Sequence, residues 1–559
     1  MKRLRPEHVV LAVGVVALAV LVVFPLLSLV WGSISEDGRP TLEHFREALS
    51  NRLYLVALVN SLVLGAWTAV ISVAIGVPMA WAVSRTNLPG KPFVHLTAVI
   101  AYVTPPYLTA IAFVNLFSPN AGLVNRLARE VLGQEWLAFN VFSMAGLVLV
   151  TVPHTFPFVY LLAASALASV DASMEESARM LGASRWRTAR VVTAPLVAPA
   201  ILSGALIAFV NAIALFGSQA IVGLPGRVFT LPTRIYALFD HPPQYGLASA
   251  MSLLFVAITV AALALQRRYL ARRSYVTVGG KGHRPQLVDV GPARWALLGF
   301  CVAIFVVTVL APYATLLAVS LSRSWGLEFW QNLTLKNYRF ILFEYDVTRR
   351  AIWNSLLLAS AAATASVLLG ALISWIDLRT TVPGRKLLDY ASLVPLGLPG
   401  IVVAVALIQF WLRLPLPIYG TLVILLLAYT GRYVPLAVRS ANAAFRQIDP
   451  SLEETARITG AGWLRTFRSV SLPLARPGLF AGWLLVFVPA LQELSASILL
   501  FSSESITLAV AVYNLYETGY LEPVAALAIV TMVIICVAVA GASRLARSGS
   551  GTGQPAVVS

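Results

Sequence analysis

The chain contains two copies of one stretch. Asp171–Pro199 reads DASMEESARMLGASRWRTARVVTAPLVAP and Asp449–Pro477 reads DPSLEETARITGAGWLRTFRSVSLPLARP; at a constant offset of 278 residues, 15 of 29 positions are identical and no gap is needed. A second set of matches runs at an offset of 294: Asn60-Ser61 with Asn354-Ser355, Gly76 with Gly370, Arg85-Thr86 with Arg379-Thr380, and Pro89-Gly90 with Pro383-Gly384. The first half is therefore 16 residues shorter before this point, and it regains them as the amphipathic stretch Ser118–Gln134. Self-similarity on this scale requires two halves that share one fold.

What lies between the copies is apolar. Hydrophobic residues make up 58% of the chain and charged residues 12%, against about 25% charged in a soluble domain. The excess forms blocks of about 18 or more apolar residues, the length that crosses a bilayer as helix. A net charge of +17 could suggest a nucleic-acid partner. Here the basic residues sit in short loops, as the positive-inside rule requires, so no nucleic acid is expected and the partner is the lipid bilayer. Cys301 and Cys536 both fall inside apolar blocks, which points to neither a disulfide nor a metal site.

Taken in order, the blocks predict twelve spans: roughly 9–31, 56–83, 94–116, 142–165, 196–222 and 247–265, then 295–320, 352–376, 390–411, 419–438, 474–499 and 524–540. The first block is too long for a signal peptide and no small-residue cleavage site closes it. Pro105-Pro106 should break or kink the third span. The domains read as 1–265, a basic linker at 266–292, 293–541, and a disordered Gly/Ser-rich tail at 542–559. Gly279-Gly280-Lys281-Gly282 in the linker lacks the rest of a phosphate loop. Loop charge puts both repeated stretches, the linker and both termini in the cytoplasm.

Within each repeated stretch, Ser173-Met174-Glu175-Glu176 and Ser451-Leu452-Glu453-Glu454 predict a capping box, with the serine at the cap and the second glutamate reaching back. Gly182 and Gly460 then stop a short helix, and a second turn carries Arg187, Arg190, Arg465 and Arg468. A short helix-turn-helix repeated at the membrane face has the form of a docking plug. The docking loops span 171–195 and 449–473.

These stretches resemble the EAA loop of ABC importer permeases. Glu176-Ser177-Ala178 with Gly182, and Glu454-Thr455-Ala456 with Gly460 and Leu472-Pro473, follow that pattern. Ser177, Thr455 and Ala194 are mild departures. The resemblance covers nearly the whole chain and is nearest to the fused, two-repeat permeases of the iron(III) and thiamine group. Phe216-Gly217, and Glu493-Leu494-Ser495-Ala496-Ser497 after Phe487-Val488, look like the iron(III) type. It implies an all-α polytopic membrane protein built of two tandem six-helix permease repeats, with about 12 transmembrane helices. It also implies a bacterial inner-membrane location and a solute-binding protein outside the cytoplasm. On the cytoplasmic side it implies a homodimeric ATP-binding subunit that holds ATP and Mg. No cofactor is implied in this chain. Glu175, Glu176, Gly182, Arg187, Glu453, Glu454, Gly460 and Arg465 would form the coupling surfaces. The cargo implied is ferric iron, with thiamine, a phosphonate or a polyamine as alternatives, and a gradient-driven transporter as the rival class.

Polar residues inside the spans are costly and need partners or a wet cavity. His154 and Arg432 correspond at the 278 offset, in spans four and ten; Asn211 and Gln219 lie in span five, and Gln492 and Glu493 in span eleven. Arg432 with Glu493 reads equally as a buried pair that fixes packing and as a lining of the pathway or its gate. Too few His, Cys and Asp residues fall together for a metal-ligand cluster. No enzyme motif is legible: no nucleophile elbow, no zincin helix and no suitably spaced carboxylates.

Overall fold

The computed structural model describes residues 6–271 and 287–549. Among these, ten helices are long and apolar enough to cross a membrane, and two sharply bent helix pairs bring the number to twelve if each pair is one span. Spans two (Arg52–Arg85) and eight (Asp346–Arg379) are single helices of 34 residues. At about 1.5 Å per residue each is roughly 51 Å long, against about 30 Å of hydrocarbon. Arg85 and Arg379 are the last residues of these helices, at the ends that face the repeated stretches.

Span three breaks as expected, into Lys91–Val103 and Pro106–Phe117 at 97°. Span nine, expected to be continuous, breaks at the matching place into Arg385–Gly397 and Gly400–Trp411 at 113°. Both breaks have one cause. A residue before proline is pushed out of the helical region, and Thr104 and Leu398 accordingly sit at ψ 127° and 121°.

Each half packs spans four and five, or ten and eleven, against its long helix. Glycine permits the approach: a Cβ on Gly76 would lie 2.9 Å from the Tyr160 amide nitrogen, and one on Gly370 would lie 2.8 Å from the Ala437 carbonyl carbon. The first span of each half crosses to the other half. Leu18 and Val22 share a core with Leu369, Ile373, Val434 and Val438. Cys301 and Val309 of span seven (Ala293–Leu321) share one with Met79, Val94 and Ala98. The halves are thus interlocked rather than strung together.

Several boundaries differ from expectation. Span five, expected to reach residue 222, ends at Ala214, and a separate short helix follows at Gly217–Gly223. Span eleven likewise ends at Leu491, before Ser497–Leu500. The sixth helix runs to Ala271, past residue 265, and the last runs to Gly549, into the expected tail. Apolar composition marks what can enter a bilayer, not where the backbone turns. The remainder of the linker at 272–286, and 550–559, lie outside the described residues.

Candidate translocation pathway and coupling sites

The docking loops fold as short helices, Ala172–Met180 and Pro450–Ile458. Their caps differ from the expected serine box. Asp171 and Asp449 occupy the cap, each accepting from the amide of Ser173 or Ser451 at 2.9 Å. Aspartate two residues earlier starts the helix sooner and accepts from the serine amide, so the serines fall inside the helix. The Ser451 amide and hydroxyl hold the Asp449 carboxyl below its ordinary range. Gly182 and Gly460 end the two helices at φ +83° and +88°, where glycine alone has no Cβ penalty. Glu176, Glu454, Arg187 and Arg465 are exposed, as are Met180, Leu181, Trp186 and Ile458. A polar and apolar tip of this kind is a surface for a partner.

Glu175 and Glu453 do not face outward. Glu175 pairs with Arg85 at 3.3 Å and accepts from the Thr193 hydroxyl at 2.6 Å. Glu453 pairs with Arg379 at 3.2 Å and accepts from the Ser471 hydroxyl at 2.8 Å. Each carboxylate joins its docking helix to the end of the preceding long span and to the helix that leads into span five or eleven. The sequence showed Arg85 and Arg379 as a repeated pair and gave no sign of what they bind.

The opposite ends of spans five and eleven are the two breaks, and there the halves meet. Gln492 donates to the Val103 carbonyl at 2.7 Å. A Cβ on Gly217 would lie 2.8 Å from Leu494 and 3.0 Å from the Tyr107 side chain. Phe216 packs on Tyr513 with ring centroids 5.9 Å apart. Glu493 is 5% exposed and pairs with Arg432 at 3.2 Å. One of its oxygens accepts from the Ala496 amide at 2.9 Å, and the other accepts from the Tyr433 hydroxyl. The carboxylate thus caps the turn that reopens the helix and holds the guanidinium. Arg432 Nη1 is buried without a hydrogen-bond partner, against Gly400 at the start of the second limb of span nine.

The other pathway candidates make contacts of their own. Gln219 is fully buried, donates to the Ala212 carbonyl at 2.7 Å and accepts from Thr230, so it pins the break after span five. Asn211 bonds back to Ile207 at 2.9 Å within its own helix. His154 is buried, with neither ring nitrogen in a well-formed hydrogen bond. Among the described residues no group of three or more His, Cys, Asp or Glu could hold a metal ion. Asn60 and Asn354 act alike in the two halves: each amide donates at 2.9 Å to a carbonyl, Phe229 in one half and Glu504 in the other.

The family model for the binding-protein-dependent transport system inner membrane component matches this chain twice, over residues 72–275 and 366–548. The chain belongs to this family. The two matches coincide with the two halves, so this permease carries two family repeats in one chain. It is a multi-pass inner-membrane transport component, and its family works with an ATPase and a solute-binding protein.

The permease is 27% identical over 508 residues to the putative ferric transport system permease protein FbpB 1 of Haemophilus influenzae, covering 89% of this chain and 77% of that one. It is 26% identical over 509 residues to the ferric transport system permease protein FbpB of Actinobacillus pleuropneumoniae, covering 89% and 72%. The molybdenum transport system permease protein ModB of Escherichia coli matches 40% of this chain and 96% of its own length, at 28% identity over 229 residues. That last protein is thus the size of one half of this permease.

Proposed function

We propose that this permease is the membrane subunit of an ATP-driven importer for ferric iron. A solute-binding protein delivers the iron on the outer side. The observation that carries the substrate is the likeness to ferric transport permeases over 89% of the chain, through both repeats, where the likeness to the molybdenum permease covers 40%. A homodimeric ATP-binding subunit, with ATP and Mg bound to it, engages the docking helices at Glu176, Gly182, Arg187, Glu454, Gly460 and Arg465. Both termini lie on that side. The cargo passes between the halves, where Arg432, Gln492 and Glu493 gate the path, with His154, Asn211 and Gln219 supporting it. ATP hydrolysis takes place on the separate subunit, and this chain converts the resulting movement into alternating access.

One observation bears on the form of the iron. The unpartnered Arg432 Nη1 beside the start of a half-helix favours an acceptor group. Iron carried with an anionic chelator supplies one.

The test is reconstitution of the permease with its ATPase and binding protein in vesicles. Ferric uptake that requires ATP and both partners is expected. Tight binding of thiamine, a phosphonate or a polyamine by the binding protein, with none of ferric iron, would overturn the substrate and leave the permease reading intact. Uptake driven by an ion gradient without the ATPase would overturn both.

A further inference from the structure

We propose that Arg85 and Arg379 are positioning residues for energy coupling. Each clamps a docking helix to the membrane spans that carry movement to the pathway. The proposal rests on the reading of the repeated stretches as ATPase-docking sites and assigns the means by which their movement leaves them.

The arrangement occurs twice, built from residues that match at different offsets. Arg85 and Arg379 are 294 apart, while Glu175 and Glu453, and Thr193 and Ser471, are 278 apart. The intervening insertion changed the spacing along the chain and left the three-part contact intact. In both halves one carboxylate takes the guanidinium of the long span and the hydroxyl of the helix entering the next one. The hydroxyl residue is threonine in one half and serine in the other, which keeps the donor and varies the methyl.

The pairs are well shielded. Side-chain exposure is 3% and 13% for Arg85 and Glu175, and 10% and 5% for Arg379 and Glu453. Shielding two charges costs solvation, and a buried ion pair is poor evidence for stability. What such a pair supplies is fixed geometry. Arginine is suited to this because its planar fork can hold several acceptors at set angles. Arg379 uses that property: besides Glu453 it donates to the Phe445 and Ile448 carbonyls at 2.9 and 2.7 Å. It therefore binds the end of span ten as well. Lysine cannot present these donors in one plane.

From the clamp, the path to the gate is direct. The helix containing Thr193 runs unbroken from Trp186 to Ala214, and the one containing Ser471 runs from Phe467 to Leu491. Their far ends are the breaks at Leu215 and at Gln492-Glu493. A docking helix held at its first turn to two spans cannot tilt without moving both. The displacement then arrives where Gln492 bonds Val103 and Leu494 packs on Gly217.

The test uses the full complex of permease, ATPase and binding protein in vesicles, and reads cargo taken up per ATP hydrolysed. Thr193→Val with Ser471→Ala removes the arm to spans five and eleven and leaves both ion pairs. Arg379→Lys keeps the charge and loses the fork. Uptake per ATP should fall about tenfold in each, the scale set by losing a hydrogen bond to a charged group. ATPase co-purification and membrane insertion should be unchanged. Thr193→Ser with Ser471→Thr should retain full coupling, since each half already uses the other's residue. A clamp that only stabilises the fold would lower the thermal midpoint and leave uptake per ATP as in the wild type. That result, in variants that still bind the ATPase, would overturn the proposal while ATP-driven uptake by the wild type stands. A wild type whose uptake needs no ATPase would overturn the docking reading and the clamp with it.

Discussion

Replacing Glu493 by glutamine separates a structural pair from a cargo contact. The carboxylate makes three contacts: Arg432 at 3.2 Å, the Ala496 amide at 2.9 Å, and the Tyr433 hydroxyl. Glutamine keeps an oxygen for the Ala496 amide. Tyr433 has a second acceptor in the Pro489 carbonyl at 3.2 Å. The loss therefore falls on Arg432, which is left charged without a counter-ion. Stranding one partner of a buried pair costs about 3–5 kcal/mol. Arg432 keeps 20% exposure, so solvent relieves part of this and the cost falls to roughly 2–3 kcal/mol. In detergent the thermal midpoint should drop by about 5 °C, given a few degrees per kcal/mol for large chains. Glu493→Gln with Arg432→Gln removes the stranded charge and should recover about half of the loss, a coupling of roughly 1–2 kcal/mol. Thermal unfolding of the four proteins in the cycle measures it. Strict additivity would refute the pair as a stabilising unit. A single variant with an unchanged midpoint and abolished uptake would assign Glu493 to the cargo instead.

Other expectations follow from particular contacts. Gly460→Val places a β-branched residue at φ +88°, at a cost of about 1–2 kcal/mol, and should reduce ATP-driven uptake while membrane insertion persists. Gln492→Ala removes the 2.7 Å bond to Val103 that joins the halves at the break; ATP hydrolysis without cargo should rise, and an unchanged basal rate would exclude a latch. Gly370→Leu drives a side chain into the Ala437 backbone, so the yield of folded, monodisperse protein should collapse, whereas Gly299→Leu, at a position with open space, should not change it. Reporters fused after Arg273 and after Arg350 should appear on opposite sides of the membrane, and a reporter at Arg273 on the outer side would overturn the topology.

Much of this architecture is visible in the sequence because two signals there are strong. Bilayer length and apolar composition mark the spans, and the repeat marks the docking helices with their left-handed glycines. Pairing of Arg432 with Glu493 was one of two open readings because two opposite charges in apolar sequence must find partners. Long-range satisfaction is what the sequence hides. Glu175 finds Arg85 from 90 residues away, and Glu453 finds Arg379 from 74. The break in span nine escaped because Leu398-Pro399-Gly400 has one proline where the first half has two, although one suffices to expel the preceding residue from the helix. Gln219 reads from the sequence as a pathway candidate because a buried glutamine is costly; its hydrogen bonds, to the backbone at the break and to Thr230, are hidden in the same way.

Fusion of the halves lets them differ where identical subunits could not. In a symmetric pair every charge at the axis appears twice. A second Glu493 and a second Arg432 would then be present in the other half. Here the position matching Glu493 is Leu215 and the position matching Arg432 is His154. The second half accordingly carries an ion pair where the first half has a leucine and a histidine. The clamps diverge in the same way. Arg379 holds the carbonyls at the end of span ten. At the first clamp, the Arg85 carbonyl instead accepts from the Val288 amide at 2.7 Å, and Asn87 bonds Asp289 at 2.6 Å. Val288 and Asp289 lie at the end of the linker, which enters span seven at Ala293. Span seven packs on the first half. The segment that joins the halves is thus itself fastened to the end of span two in the first half, where the second half instead ties Arg379 to the end of span ten, so the two halves are anchored differently.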